Sequence, residues 1–222
     1  VESGVDQQTF ERLGDYIHDL FGPEDEVLQS IRARTLEAGM PQIQIRPEEG
    51  RMLQFLMKAS HARRVIEVGT LAGYSGVWIG RALPEDGRLI TLEIDEDHAA
   101  VARETFARAG LSDRVEVRVG DALSSLAGLS ADGPFDAIFI DAAKTEYPAY
   151  LSWAVDHIRV GGLIVAHNAF RRGAVVAPAG QHDDQVRGTL AYNRRLSEDP
   201  RLLGSIIPLG DGLAVAVRLA DS

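Results

Sequence analysis

Three carboxylates stand at the ends of three successive apolar runs, and a glycine turn follows the first. Glu67 lies within Val65-Ile66-Glu67-Val68, which opens onto Gly69-Thr70-Leu71-Ala72-Gly73-Tyr74-Ser75; Glu93 closes Leu89-Ile90-Thr91-Leu92-Glu93; Asp121 follows Val115-Glu116-Val117-Arg118 within Gly120-Asp121-Ala122. A strand that turns through glycines into a helix can hold a nucleotide-like ligand on its backbone amides. A dinucleotide site, however, needs a second glycine so that a pyrophosphate can approach closely. That glycine is absent here, and a carboxylate at Glu67 would repel a pyrophosphate. It suits a ligand carrying an ammonium and a sulfonium, such as S-adenosylmethionine. Glu93 can accept hydrogen bonds from two ribose hydroxyls, as carboxylates do in dinucleotide sites too, and Asp121 suits an adenine amino group. The competing reading is that Gly69 and Gly73 only make a tight turn while Glu67, Glu93 and Asp121 cap helices.

The elements that must position these residues alternate in type. Runs at 65–68, 89–93, 115–118, 137–140 and 163–166 read as strands, with helices predicted over 74–83, 96–109, 121–128 and 145–159. That alternation predicts an α/β fold, a doubly wound and mostly parallel sheet covered on both faces. A helix follows at about 183–197. The runs 203–209 and 213–219 then flank Gly210-Asp211-Gly212, which predicts an antiparallel C-terminal hairpin and brings the sheet to seven strands. Before the first strand, Phe10, Leu13, Tyr16, Ile17 and Leu20, then Val27, Leu28, Ile31 and Leu36, recur at helical spacing. Gly39 to Pro47 interrupts that pattern, and Pro47 opens a further helix to Ala59. The expectation is one domain over 1–222, its helical region 1–60 contributing to an acceptor pocket or a dimer contact and its core 61–222 binding the donor. The segment from Gly173 to Asp184, with Pro178 and Gly180, is expected to be a mobile loop.

Taken in order, these stretches resemble the cation-dependent O-methyltransferases that include the caffeoyl-CoA and catechol enzymes. The resemblance runs from about Ile45 to Leu219. It is carried by Glu67-Val68-Gly69-Thr70 with Gly73-Tyr74-Ser75, Phe139-Ile140-Asp141-Ala142-Ala143-Lys144, Gly161 to Val165, Asp199-Pro200-Arg201 and Pro208 to Gly212. It implies a Rossmann-like class I methyltransferase fold. It also implies donor contacts from Ile45, Glu67, Gly69, Thr70, Tyr74 and Ser75, from Glu93, Ile94, Asp121 and Ala122, and from Asp141, Ala143 and Tyr150. Asp141 matches a cation ligand beside the donor, and Lys144 matches the lysine proposed as general base toward the acceptor hydroxyl. Relatives of this kind are commonly dimers, so a homodimer is expected.

Three positions depart from the family's pattern. Where relatives complete the cation site with an Asp-Asn pair, this chain has His167-Asn168. Asp141, His167 and Asn168 could bind a divalent metal with a preference shifted from magnesium toward imidazole-loving ions. Alternatively, His167 serves as a general base without metal, or it only hydrogen-bonds at a strand end. Ala143 replaces an aspartate that contacts the donor in many relatives. Arg171 replaces a frequent aromatic residue near the acceptor and, with Arg172, suggests an acceptor bearing a carboxylate or phosphate, the plainer reading being two solvated loop arginines.

Composition narrows the classes. A formal net charge of -10 argues against a nucleic-acid partner, since phosphate binding needs concentrated positive charge. The sequence contains no cysteine, which removes disulfide frameworks and thiolate chemistry and fits a cytoplasmic location. Its apolar runs are too short for a membrane helix, and Val1 to Asp6 do not read as a secretory leader. The expected function is S-adenosylmethionine-dependent methyl transfer to a small phenolic or catechol-like hydroxyl, metal-assisted through Asp141, His167 and Asn168, with Lys144, Asp141 and His167 as the catalytic candidates. The alternatives are a metal-independent methyltransferase with His167 as base, a nicotinamide-dependent oxidoreductase, and a donor-binding protein without turnover.

Overall fold

The computed structural model describes residues 7–220; Val1 to Asp6, and with them the reading of a leader, lie outside the described residues, as does the side chain of Phe10. Three helices come first: α1 (Gln7–Phe21), α2 (Glu26–Glu37) and α3 (Pro47–Ala59). The α/β alternation follows with β1 (Arg64–Val68), α4 (Tyr74–Ala82), β2 (Arg88–Glu93), α5 (Glu96–Arg108), β3 (Val115–Val119), α6 (Ala122–Leu129), β4 (Phe135–Ile140) and α7 (Tyr147–His157). The chain ends with β5 (Ile158–Ala166), α8 (Asp184–Glu198), β6 (Leu202–Ile207) and β7 (Leu213–Arg218).

The seven strands are ordered β3-β2-β1-β4-β5-β7-β6. The first five pair in parallel, and β7 runs antiparallel between β5 and β6. Successive side chains of a strand face opposite sides. Val65, Ala137, Phe139 and Val165 therefore enter one core with Leu28, Leu53, Met57, Val77 and Phe106 from α2 to α5. Ile66, Ile138, Ile140 and Ile164 enter the other with Leu126, Leu151, Tyr192 and Leu196 from α6 to α8. Burial on both faces explains why these strands read as unbroken apolar runs.

Most boundaries shift by one or two residues, and the start of β5 shifts by five. The helix expected to reach residue 159 stops at His157, and β5 begins at Ile158 rather than 163. Gly161, with φ of 75°, and Gly162, whose added Cβ would lie 2.6 Å from the Asp136 carbonyl, carry the strand through an irregularity that a periodic pattern does not announce. The segment expected to be a loop holds two short 3-10 turns, Arg171–Val176 and Ala179–Gln181. The apolar residues Leu13, Tyr16, Leu20 and Phe21 of α1 are exposed rather than packed into the core.

Order reverses between β1 and β4, and the carboxyl ends of the parallel strands open there. Because β7 is antiparallel to β5, the hairpin turn before it returns to this same end, with Ala169 N–H donating to the Gly212 carbonyl at 3.0 Å and Phe170 N–H to Asp211 at 2.9 Å. On the other face α8 presses on the 3-10 turn at Lys144–Glu146 through Gly188, where a Cβ would stand 2.2 Å from the Lys144 carbonyl oxygen. Gly188→Ala should therefore force the two backbones apart. A loss of roughly 2 kcal/mol or more is expected in chemical denaturation, against no loss for Gly180→Ala, whose Cβ would meet nothing within 4 Å.

Candidate active site

A cleft of about 1600 Å³ opens at these strand ends. Every site residue expected from the sequence lines it except Glu67: Ile45, Gly69, Thr70, Tyr74, Ser75, Glu93, Ile94, Asp121, Ala122, Asp141, Ala143, Lys144, Tyr150, His167 and Asn168. Its rim carries exposed apolar groups at Ile43, Ile94 and Val176.

The glycine turn is set by contact with the neighbouring strand. Gly69 has φ of 96°, and a Cβ there would lie 2.2 Å from the Asp141 carbonyl oxygen, so only glycine lets β1 and β4 end side by side. Glu93 braces the turn by accepting from the backbone N–H of Thr70 (3.2 Å) and Leu71 (2.8 Å) with one oxygen and from those of Ile94 and Asp95 with the other. Asp121 caps α6, its Oδ1 accepting from Ser124 N–H at 2.8 Å and from Ser124 Oγ at 2.6 Å. The two readings of these carboxylates are thus compatible: they cap and brace, and they also border the cleft. Tyr74 and Tyr150 likewise border it, while their hydroxyls are tied to Glu24 and Glu146.

Glu67 requires a correction. It is 0% exposed and lies beneath the turn, its carboxylate accepting from Ser75 Oγ at 2.5 Å and Thr91 Oγ1 at 2.7 Å. Direct contact with a donor ammonium is not its place; it positions Ser75 and the first turn of α4. Burial pushes its pKa from 4.5 up to about 7, against the lowering effect of those two hydroxyls.

Asp141, Lys144 and His167 meet at the floor of the cleft. Lys144 Nζ donates to Asp141 Oδ1 at 2.8 Å, and His167 Nδ1 stands 3.1 Å from Asp141 Oδ2. The other ring nitrogen, Nε2, is 2.9 Å from Oε1 of Glu49, a buried residue of α3 for which the sequence offered no functional role. Glu49 is further held by Arg46 N–H at 2.7 Å and Asp211 N–H at 3.3 Å. A neutral imidazole donates through only one nitrogen; facing a carboxylate with each, His167 must carry both protons. Burial opposes that charge, but Asp141 and Glu49 outweigh it and push His167 up to about 10. Burial would likewise raise Asp141, yet the His167 and Lys144 cations hold it well below the usual carboxylate range.

This geometry bears on the general-base reading of His167, because each of its ring nitrogens faces a carboxylate and neither is turned toward the cleft's reacting groups alone. It also bears on the metal reading. Both oxygens of Asp141 and both nitrogens of His167 are engaged within the protein, and Asn168 donates its amide to Asp211 Oδ2 at 2.9 Å. No group of three or more His, Asp or Glu among the described residues is arranged to hold a metal ion. As arranged, the donor set does not fit a divalent cation.

Glu49 and Asp211 were the residues missed. The signal for Glu49 was the stretch Arg46-Pro47-Glu48-Glu49, which reads as a helix start; its side chain does accept from the Arg46 backbone in a capping box. Asp211 stood in a stretch noted for its turn and for the family resemblance, without a role of its own. Gly210 beside it is required, because a Cβ there would lie 1.9 Å from Glu49 Oε1.

An O-methyltransferase family model matches residues 19–219. A catechol O-methyltransferase from Niastella koreensis is 42% identical over 220 residues, spanning 96% of this chain and 99% of that protein. A catechol O-methyltransferase from Mycobacterium tuberculosis is 41% identical over 200 residues, 87% of this chain and 89% of its own length. Among solved structures, an O-methyltransferase from Bacillus cereus in complex with SAH superposes with a TM-score of 0.89 at 36% identity, covering 95% of this chain and 99% of that one.

The raised pKa of Glu67 has a measurable consequence for the ligand-free protein. Between pH 4.5 and about 7 the folded chain retains a proton that the unfolded chain releases, so this group's contribution to stability is present below pH 4.5 and is lost as pH rises through 7. The unfolding free energy of the protein minus that of Glu67→Gln should fall across this window in urea titrations. Parallel profiles for the two proteins would contradict the assignment.

Proposed function

Because the chain belongs to the O-methyltransferase family and uses S-adenosylmethionine, we propose that it transfers the donor's methyl group to a hydroxyl of a small catechol-type acceptor at the floor of this cleft. The observation that carries the reading is the meeting of Lys144 and Asp141 at the cleft floor, beside the glycine turn that receives the donor. Family membership also removes the nicotinamide-dependent alternative and the reading as a binding protein without turnover.

The donor lies along the ends of β1 to β4. Glu93 takes the ribose through the lone pairs its backbone contacts leave free, Asp121 takes the adenine amino group, and exposed Ile94 covers the ring. The acceptor oxygen sits beside Asp141 and Lys144. As its proton leaves, the oxygen attacks the methyl carbon in line, the carbon–sulfur bond breaks, and the sulfonium becomes a neutral thioether. Lys144, entering the step as the neutral amine, accepts that proton at Nζ, and the ammonium so formed donates to Asp141 and stabilises the phenolate. Holding oxygen and methyl carbon in line supplies the larger share, about 7–11 kcal/mol in favourable systems.

The engagement of both His167 nitrogens favours turnover without a divalent cation over the metal-assisted alternative. The homodimer expected from the resemblance is proposed to form through α1, where Leu13, Tyr16, Leu20 and Phe21 are 47–61% exposed. Light scattering should then report twice the chain's mass, and a monomer at all concentrations would rule the dimer out.

With methyl-labelled donor and catechol, mass spectrometry should show one labelled methyl on oxygen. Lys144→Met should lower kcat by about 10²–10⁴-fold while calorimetric donor affinity stays nearly unchanged; equal loss of both would make Lys144 a donor contact instead. Exhaustive chelation should leave turnover intact, and His167→Asp, which restores the relatives' Asp-Asn pair, should make it respond to magnesium. Loss on chelation that a divalent ion reverses would restore the metal-assisted reading.

A further inference from the structure

Among the described residues two cations of the cleft, Arg171 and Arg172, have guanidiniums without an ion pair or hydrogen bond, and of the two only Arg171 is withdrawn from solvent, Arg172 being exposed. Lys144 is held by Asp141, His167 by Asp141 and Glu49, and Arg46 by Asp15 (3.1 Å) and Glu48 (2.6 Å). Arg171 also lines the cleft and is half-buried, but among the described residues its guanidinium makes no ion pair or hydrogen bond, and its Nε is buried without a partner. A buried N–H left unmet is costly unless something supplies an acceptor.

Its placement is enforced at a cost to the backbone. Arg171 and Arg172 have φ of 48° and 52°, the left-handed region that bulky residues avoid. Asp211 holds them there: its Oδ1 accepts from Arg172 N–H at 2.5 Å and its Oδ2 from the Asn168 amide at 2.9 Å, while Arg171 N–H donates to the Asn168 carbonyl at 3.2 Å. The same Asp211 donates its own N–H to Glu49, so one residue ties the arginine loop to the cluster beside the reacting oxygen. Strain maintained by a specific anchor at the edge of a ligand cleft points to a ligand contact.

We propose that Arg171 is a specificity-determining residue that binds a carboxylate on the acceptor, so that the preferred substrates are dihydroxybenzoate- or dihydroxycinnamate-type catechols rather than neutral ones. A guanidinium presents parallel N–H donors that match the two oxygens of a carboxylate. An acceptor bound this way puts its hydroxyl at Asp141 and Lys144, its ring against the apolar rim, and its anionic end on Arg171, where a carboxylate oxygen accepts from the Nε–H that otherwise lacks a partner. The proposal rests on the catechol-type reading of the acceptor.

The test compares kcat/KM for catechol, 3,4-dihydroxybenzoate and 3,4-dihydroxycinnamate, and measures benzoate binding to the SAH-loaded protein by calorimetry. At least one carboxylate acceptor should exceed catechol by about tenfold or more, and which one does reports the distance from ring to guanidinium. Arg171→Gln should lower that preference about 10–100-fold, the range for a lost charged hydrogen-bond pair, and should abolish benzoate binding. Equal turnover of all three acceptors, or an equal loss on all of them in Arg171→Gln, overturns the carboxylate subsite and leaves the catechol reading standing. Turnover of none, with benzoate bound through Arg171, overturns the catechol reading and leaves the subsite standing; turnover of none with no benzoate binding overturns both.

Discussion

His167 is bonded at both edges of its ring, to Asp141 at 3.1 Å and to Glu49 at 2.9 Å, and much of the site's geometry is conditional on that bridge. Asp141 follows β4, His167 follows β5, and Glu49 opens α3, so one imidazolium joins two neighbouring strands to a helix from the region before the sheet. Glu49 passes the constraint on to the β6–β7 turn through Asp211 N–H, and Asp211 passes it to the loop after β5. The cleft floor is therefore a single connected network. Lys144 belongs to it through Asp141 and is backed by α8, whose Gly188 permits the approach.

Charge balance makes such a network tolerable. Two carboxylates and two cations, largely withdrawn from water, sum to zero, whereas removal of any one member leaves a buried charge uncompensated, which typically costs 3–5 kcal/mol. The same balance explains how a histidine can stand where relatives place an aspartate. An aspartate there would gather three carboxylates, Asp141, Glu49 and itself, around one small volume, a set that needs an added cation to be stable. With histidine the positive charge is built into the chain. The residue at position 167, together with Glu49, therefore sets the net charge of this small volume.

Much of this was legible in the sequence, for reasons that can be stated. Strands covered on both faces show as unbroken apolar runs, and a parallel sheet must alternate with helices, so Val65–Val68 to Leu163–Ala166 appeared in order with their turns. Side chains at strand ends share the cleft by topology alone, which is why Gly69, Glu93, Asp121, Asp141 and His167 could be grouped without any contact being known. Glu49 was not legible: it lies 118 residues from His167, and a glutamate near a helix start reads as a cap, a role it also fills. Glu67 was misplaced because a strand's alternation tells which face a side chain takes but not whether a neighbouring threonine and serine will fold over it. The β5 start was missed because Gly161 and Gly162 break the periodicity at the residues that begin the pairing.

Methyl transfer to an oxygen annihilates charge: a sulfonium and a developing phenolate become a thioether and an ether. Such a step gains from a setting of low polarity, since water stabilises the separated charges of the ground state more than the dispersed charge of the transition state. A floor that is polar yet closed, with its hydrogen bonds spent on one another, meets that need better than one with free charges awaiting partners. It orients the oxygen through Lys144 while presenting little net field to the sulfonium. Within such a cleft a half-buried arginine without a side-chain partner among the described residues, Arg171, is conspicuous. Placed away from the reacting atoms, it can select an anionic acceptor without adding charge where charge is being lost, so selectivity and chemistry are assigned to separate parts of one network joined through Asp211.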